Sequence, residues 1–149
     1  MKVIFVGIFF IFMSCNGQKK VTSSSKELNN ELTLLIRDSY SGISTPEIQI
    51  IKEPTSLKSF FLKINKTRKP GLAVPKIDFT KEMVILLCSG EQTGDATTKI
   101  AKGKESSTNL ILKVKKEDII RKISSTAITS PFYLYKMPLT DKEIVFEKW

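Results

Sequence analysis

One segment of this 149-residue chain has a helical period, and most of its other apolar stretches favour strands. Four apolar residues recur at intervals of three and four, which places them on one face of an α-helix: Leu57, Phe60, Phe61 and Ile64. Pro54 supplies a start signal, and Thr55 or Ser56 is the predicted N-cap. We therefore predict a helix from about Ser56 to Lys66, with its two phenylalanines packed on a sheet.

The remaining apolar runs favour β-strands. The run from Met83 to Cys88 is apolar on both faces, which indicates a strand in the interior of a sheet, covered on both sides. The segment from Asn109 to Lys116 alternates between apolar and mostly basic residues. Further strands are predicted at Leu32–Ile36, Glu47–Ile51, Phe132–Met137 and Ile144–Phe146. One helix among about six or seven strands predicts an α+β domain, in which a mostly antiparallel sheet or open barrel is packed by one amphipathic helix.

The first residues have the layout of a secretory signal. Lys2 precedes an apolar run from Val3 to Met13, and the small residue Ser14 follows. The run of about 11 residues is well short of the roughly 20 that cross a bilayer. The residues from Phe12 to Cys15 resemble the bacterial lipobox, in which the cysteine becomes the first mature residue and carries acyl chains. We therefore predict a signal peptide over residues 1–14 and lipidation at Cys15; an ordinary cleaved signal is the alternative.

The rest of the chain divides into a tether and one domain. The polar stretch from Asn16 to Asn30 lacks apolar periodicity and contains three consecutive serines, so we predict a flexible tether over residues 15–30. Residues 31–149 are predicted to form a single domain. If Cys15 is acylated, Cys88 is the only remaining thiol and an internal disulfide is excluded. Cys88 lies in an apolar run, which indicates a buried core thiol.

The absence of histidine excludes catalytic triads that use it and removes the commonest zinc ligand. The carboxylates at Glu91, Asp95, Glu117 and Asp118 are predicted to be exposed and ionised, and no motif frames Ser124, Ser125 or Ser130 as a nucleophile. We therefore expect no enzymatic activity, no metal site and no cofactor.

The net charge of +9 is spread along the whole sequence. Nucleic acid is not expected as a partner, because the signal indicates export and no aromatic residues interleave with the basic clusters. A solvated basic surface is the favoured interpretation. The alternative is a binder of an acidic ligand, such as a glycan, a phosphate or a lipid head group.

Three blocks carry a resemblance to a known family: Ile77–Ile85, Ser89–Gly94 and Thr129–Pro138. With these blocks, residues 77–138 resemble the C-terminal domain of the PrcB-type protease-complex subunit. The family's turn commonly continues as Gly-Gly-aromatic, whereas Asp95 and Ala96 follow Gly94 here. The resemblance implies a non-catalytic accessory domain of an exported bacterial protein; one type of member associates with and stabilises a surface protease.

Two groups of residues are the candidates for partner contact. The first is the turn with Gly90, Gln92, Thr93 and Gly94, for which a structural role is favoured over a ligand loop. The second is the pair Tyr133 and Tyr135, which share one face with Met137 and are predicted to lie half in the core and half at its rim.

The sequence thus predicts a lipid-anchored, non-catalytic protein-binding module of the bacterial envelope. Its expected partners are the bilayer, through acylated Cys15, and an exported protein, for which the resemblance suggests a protease. Asn16 rather than an acidic residue follows Cys15, which favours the outer membrane. No acidic export cluster follows, which favours its periplasmic face.

Overall fold

The computed structural model describes residues 32–94, 96–117 and 126–148, and these form one helix and nine strands. The helix is α1 (Pro54–Asn65). The strands are β1 (Thr33–Asp38), β2 (Glu47–Ile51), β3 (Glu82–Cys88), β4 (Gln92–Thr93), β5 (Thr97–Glu105), β6 (Asn109–Glu117), β7 (Ile128–Thr129), β8 (Phe132–Pro138) and β9 (Glu143–Lys148). The predicted signal peptide, Cys15 and the tether lie outside the described residues.

The main sheet has four antiparallel strands in the order β1-β8-β3-β2. Strand β3 is therefore interior, and each of its residues from Met83 to Cys88 is buried. This confirms the prediction of a central strand covered on both faces. The physical reason is the alternation of side chains along a strand, which sends consecutive residues into two different cores.

Two cores lie on opposite faces of the main sheet. The helix-side core packs α1 on the sheet and contains Ile43, Ile51, Leu57, Phe60, Phe61, Ile64, Val84, Leu86, Cys88, Phe132 and Leu134. The sheet-side core packs a second sheet on the other face and contains Met83, Ile85, Leu87, Ile100, Leu110, Leu112, Tyr133, Tyr135 and Met137. The fold is thus a stack of helix, main sheet and second sheet.

The second sheet has three strands in the order β5-β6-β9. Strands β5 and β6 pair antiparallel, whereas β6 and β9 pair parallel. A short ribbon of β4 and β7 stands apart from both sheets. The described strands form open sheets rather than a closed barrel, so the architecture is α+β with mostly antiparallel pairing, as predicted.

Helix α1 buries the four predicted residues, but it begins earlier than expected. Glu53 is the N-cap and Pro54 opens the helix, so the assignment of Thr55 or Ser56 as N-cap is wrong. Proline is well suited to the first helical position, because its fixed φ matches the helix and its missing N–H has no partner there in any case. The Ser56 hydroxyl instead donates to the Glu53 carboxylate at 2.8 Å.

The structure has nine strands rather than the expected six or seven, because three strands lack a clear strand pattern in the sequence. Two of them, β4 and β7, have only two residues each. The third is β5, in which Ile100 is the only large buried apolar residue. Its strand conformation follows from pairing with β6 along nearly its whole length, and such non-local pairing leaves no periodic pattern in the sequence.

Within the part of the chain that the structure describes, no helix is long and apolar enough to span a bilayer.

Candidate docking surface at the loop end

One end of the main sheet gathers the loops that contain the predicted turn residues. At this end Asp38 is opposite Phe132, Phe132 is opposite Cys88, and Cys88 is opposite Glu47. The segments that leave these positions are 39–46, 89–94 and 126–131, and we call them together the loop end. These segments are far apart in the sequence. They meet because the pairings of β1 with β8, β8 with β3, and β3 with β2 align the strand ends at this edge of the sheet.

Ser130 braces two of these segments. Its backbone N–H donates to the Ser39 carbonyl at 3.0 Å, and its carbonyl accepts from the Ser41 N–H at 2.7 Å. Its side-chain oxygen, buried in the fold, accepts from the backbone N–H groups of Ser41 and Gly42, both at 3.1 Å. The Ser130 hydroxyl, which no motif framed as a nucleophile, thus stabilises a turn. Ser124 and Ser125 lie outside the described residues.

Two glycines in the turn after β3 have left-handed backbone conformations. Gly90 has φ +74° and Gly94 has φ +86°, in the left-handed region that glycine adopts without strain. Gly90 is buried against the neighbouring segment, where an added Cβ would lie 2.8 Å from the Ser44 carbonyl oxygen. Gln92 is half-buried and donates to the Ala96 carbonyl at 2.8 Å, so Thr93 is the exposed member of the predicted group.

Tyr133 and Tyr135 are core residues, with only 2% and 5% of their surface exposed. Each hydroxyl accepts a hydrogen bond from a backbone N–H of β5, that of Thr98 at 3.0 Å and that of Ile100 at 3.2 Å. Burial raises the pKa of Tyr135. The expectation that this pair contacts a partner is therefore corrected: the second sheet covers the face of β8 that they occupy.

Arg68 fastens the segment after β1. Its guanidinium binds both carboxylate oxygens of Asp38, one of them at 3.0 Å, and donates to the Tyr40 carbonyl at 2.5 Å. The hydrogen bonds from Arg68 hold the pKa of Asp38 below its usual value, although partial burial opposes this. The guanidinium also lies over the Tyr40 ring, 5.9 Å from its centre.

Two large apolar side chains are exposed on this braced surface. Ile128 is 72% exposed and Tyr40 is 50% exposed. Tyr40 bridges to Ser130, two residues from Ile128, and Ile128 pairs with Thr93 of the turn. The loop end therefore presents Tyr40, Thr93 and Ile128 on backbone segments that are held together by hydrogen bonds.

Two further titratable groups that the sequence analysis considered, Glu117 and Cys88, have shifted pKa values. Glu117 pairs with Lys99 at 2.7 Å and with Lys115 at 3.5 Å, and these lysines lower its pKa, so it is ionised. Burial raises the pKa of Cys88 to about 12, which keeps its thiol protonated and unreactive. Asp95 and Asp118 lie outside the described residues. In residues 32–94, 96–117 and 126–148, no three potential ligands cluster as a metal site would require.

The three blocks of the predicted resemblance form one structural unit. The first block enters β3 through a turn in which the Asp78 carboxylate accepts the Thr80 N–H at 3.2 Å. The third block is β8, which pairs with β3 along its length. The second block joins the third through the Ser89 N–H, which donates to the Pro131 carbonyl at 2.9 Å.

Searches against protein-family models, curated proteins and solved structures find no match to this chain. The resemblance of residues 77–138 to the PrcB-type domain stays a prediction.

Proposed function

We propose that this protein is a lipid-anchored, non-catalytic accessory module of the bacterial envelope that binds an exported protein through its loop end. The observation that carries the proposal is the exposed pair Tyr40 and Ile128 on a surface braced by Ser130 and Arg68. Large apolar and aromatic side chains are typical of interface centres, and a rigid surface loses little conformational entropy when it binds.

The anchor and the docking surface complement each other in this proposal. Acyl chains at Cys15 keep the domain close to the membrane, and the tether lets it reach a neighbouring protein. Confinement raises the effective concentration of the two partners, so a small contact surface is sufficient. The resemblance to the PrcB-type domain favours an envelope protease as the partner class, in the periplasm at the outer membrane.

The anchor is tested by replacing Cys15 with serine. Wild type is expected to incorporate labelled fatty acid and to fractionate with membranes, whereas Cys15→Ser incorporates none and leaves the lipoprotein fraction. Cys88→Ser is the matched control, since it removes the other cysteine, and it is expected to label as wild type does. Equal labelling of Cys15→Ser and wild type would remove the anchor from the proposal.

The docking surface is tested by site-specific photo-crosslinking in intact cells. A photoreactive side chain at Ile128 is expected to capture one defined envelope protein, identified by mass spectrometry. The same side chain at Val145, an exposed residue on β9 far from the loop end, is the control and is expected to capture none. Identical capture patterns at the two positions would contradict the proposal.

The second candidate function is binding of an acidic ligand through the basic surface. Salt dependence separates the two functions, because exposed charges are strongly screened at physiological ionic strength and apolar contacts are not. Crosslinking from Ile128 that disappears between low and physiological salt would favour the acidic ligand.

A further inference from the structure

The outward face of α1 has an apolar residue at its centre and lysines around it. Lys58, Leu62 and Lys66 follow at intervals of four residues, so they form one stripe along the helix. All three are exposed, and Leu62 is the most exposed large apolar residue of the described chain, at 74%. The opposite stripe of α1 is buried in the helix-side core, so this stripe points away from the domain.

The charge around this stripe has one sign. Every charged residue from Pro54 to Ile77 is basic: Lys58, Lys63, Lys66, Arg68, Lys69 and Lys76. Among the described residues, only Arg68 of this group forms an ion pair with a carboxylate, that of Asp38. The exposed lysines are therefore available to an external anion. The nearest acidic residues in sequence, Glu53 and Asp78, flank the segment without interrupting it.

A second exposed apolar residue lies in the loop that follows the helix. The Asn65 side chain donates to the Leu72 carbonyl and accepts from the Leu72 N–H, both at 2.8 Å, and this fastens the loop to the end of α1. Val74, two residues further on, is 41% exposed. Lys69 lies in the same loop and is also exposed. Leu62 and Val74, with Lys58, Lys66 and Lys69, are thus exposed on α1 and on the loop fastened to its end, and we call these residues the α1 face.

We infer that the α1 face docks on an anionic lipid surface, with Leu62 and Val74 inserted among the head groups and Lys58, Lys66 and Lys69 on their phosphates. Lysine stems are apolar and their ammonium groups reach outward, so the lysines and the leucine can occupy the same interface. The inference rests on the proposed membrane tether, which brings the domain to such a surface. In this orientation the second sheet faces away from the membrane.

Charge and shape favour a bilayer over an acidic protein. Leu62 protrudes from a helical face whose charges are all basic, and a fluid layer of anionic head groups can adapt to such a side chain. The second sheet provides the contrast. Its outer surface also carries lysines, but glutamates lie beside them: Lys113 is opposite Glu147, and Lys99 is paired with Glu117.

The test measures membrane depth with a nitroxide label at one position at a time. The full chain carries Cys15→Ser, so acylation has no part in the result, and the buried Cys88 does not react. The label is placed at Leu62→Cys or, as a control on the opposite side of the domain, at Val145→Cys. The probe is a vesicle of phosphatidylcholine with phosphatidylglycerol, compared with a vesicle of phosphatidylcholine alone.

We expect the label at position 62 to become shielded from a water-soluble relaxation agent in the anionic vesicles only, while the label at 145 stays accessible. Equal accessibility at the two positions in anionic vesicles overturns the inference, even if the chain binds the vesicles through its apolar residues 3–13. The inference is also overturned if a soluble polyphosphate shields the label at position 62 and the vesicles do not. Neither result depends on acylation or on a protein partner, so failure here is distinct from failure of the proposed function.

Charge variants provide the matched comparison. Lys58→Gln and Lys66→Gln are each expected to weaken partitioning to anionic vesicles about fivefold. Lys104→Gln and Lys116→Gln remove the same charge from exposed positions of β5 and β6, and they are expected to change partitioning much less. Equal losses for the two pairs would mean that net charge alone drives binding, and would overturn the assignment to the α1 face.

Discussion

The hydroxyl oxygen of Tyr133 accepts a hydrogen bond from the backbone N–H of Thr98 at 3.0 Å, and this bond crosses from the main sheet to the second sheet. Tyr135 makes the equivalent bond with the Ile100 N–H at 3.2 Å. The two backbone groups lie in β5, a strand that buries little apolar surface of its own. The tyrosines therefore anchor β5, a strand that the sequence did not predict, to the main sheet.

Tyr133→Phe and Tyr135→Phe are expected to destabilise the protein by about 1–3 kcal/mol each, because each leaves a buried N–H without an acceptor. Urea denaturation measures the loss. Tyr40→Phe is the control, since this ring is half exposed, and it is expected to leave the free energy of unfolding nearly unchanged. Indistinguishable unfolding midpoints for the three variants would show that the inter-sheet bonds do not contribute.

Gly90→Ala is expected to be more harmful than Gly42→Ala. Both glycines have positive φ, at +74° and +68°, so alanine costs about 1–2 kcal/mol at either position. At Gly90 the new methyl would also lie 2.8 Å from the Ser44 carbonyl and from the Pro46 ring, whereas at Gly42 its nearest contact is an ordinary 3.6 Å to Tyr40. Thermal or urea unfolding gives the order, and an equal cost at the two sites would contradict the close packing of the loop end.

The Cys88 thiol is expected to resist modification in the native protein. Burial raises its pKa to about 12 from the ordinary 9.0, so it stays protonated when an exposed thiol is half ionised. In a Cys15→Ser background, a thiol reagent at pH 9.0 is expected to react only as fast as the protein unfolds. Rapid labelling of Cys88 under native conditions would contradict this prediction.

The same shift predicts how stability depends on alkaline pH. Because the folded-state pKa is raised, the contribution of Cys88 is fully present below 9.0 and is lost as the pH rises through about 12. Cys88→Ala removes this titration, so the stability of the variant is expected to fall less steeply with pH in that range. Parallel curves for the variant and wild type would argue against a buried thiol.

The Glu105 carboxylate accepts hydrogen bonds from Lys102 and Lys142, both at 2.6 Å, and these lower its pKa to about 2 from 4.5. Its contribution to stability is therefore present above pH 4.5 and is lost as the pH falls through about 2. NMR titration of the Glu105 carboxyl carbon in Lys142→Gln is expected to show a higher pKa than in wild type. Lys104→Gln, which removes a neighbouring lysine, is expected to leave it unchanged.

Where a residue pattern is local, the sequence predicted the structure well. The interval of three and four residues places Leu57, Phe60, Phe61 and Ile64 on the buried face of α1. The unbroken apolar run of β3 predicted its interior position, since only a strand covered on both faces can bury consecutive side chains. Gly90 and Gly94 have backbone conformations that other residues adopt only with strain, which agrees with the structural role predicted for their turn.

The N-cap of α1 shows where two local signals compete. Thr55 and Ser56 are good capping residues, but Pro54 precedes them and has the backbone geometry of the first helical turn. The helix therefore starts at the proline, and the Ser56 hydroxyl bonds backward to Glu53.

What the sequence determined by itself is the helix, six of the nine strands and the apolar side of each, because these follow from spacing along the chain. Only the tertiary structure decided that β9 pairs parallel with β6, that β5 is a strand, and that this strand covers Tyr133 and Tyr135. These facts depend on contacts between residues far apart in the chain. The alternation of side chains along β8 is the same whether a tyrosine lies at the rim or in the core. Only the second sheet, which covers this face, distinguishes the two cases.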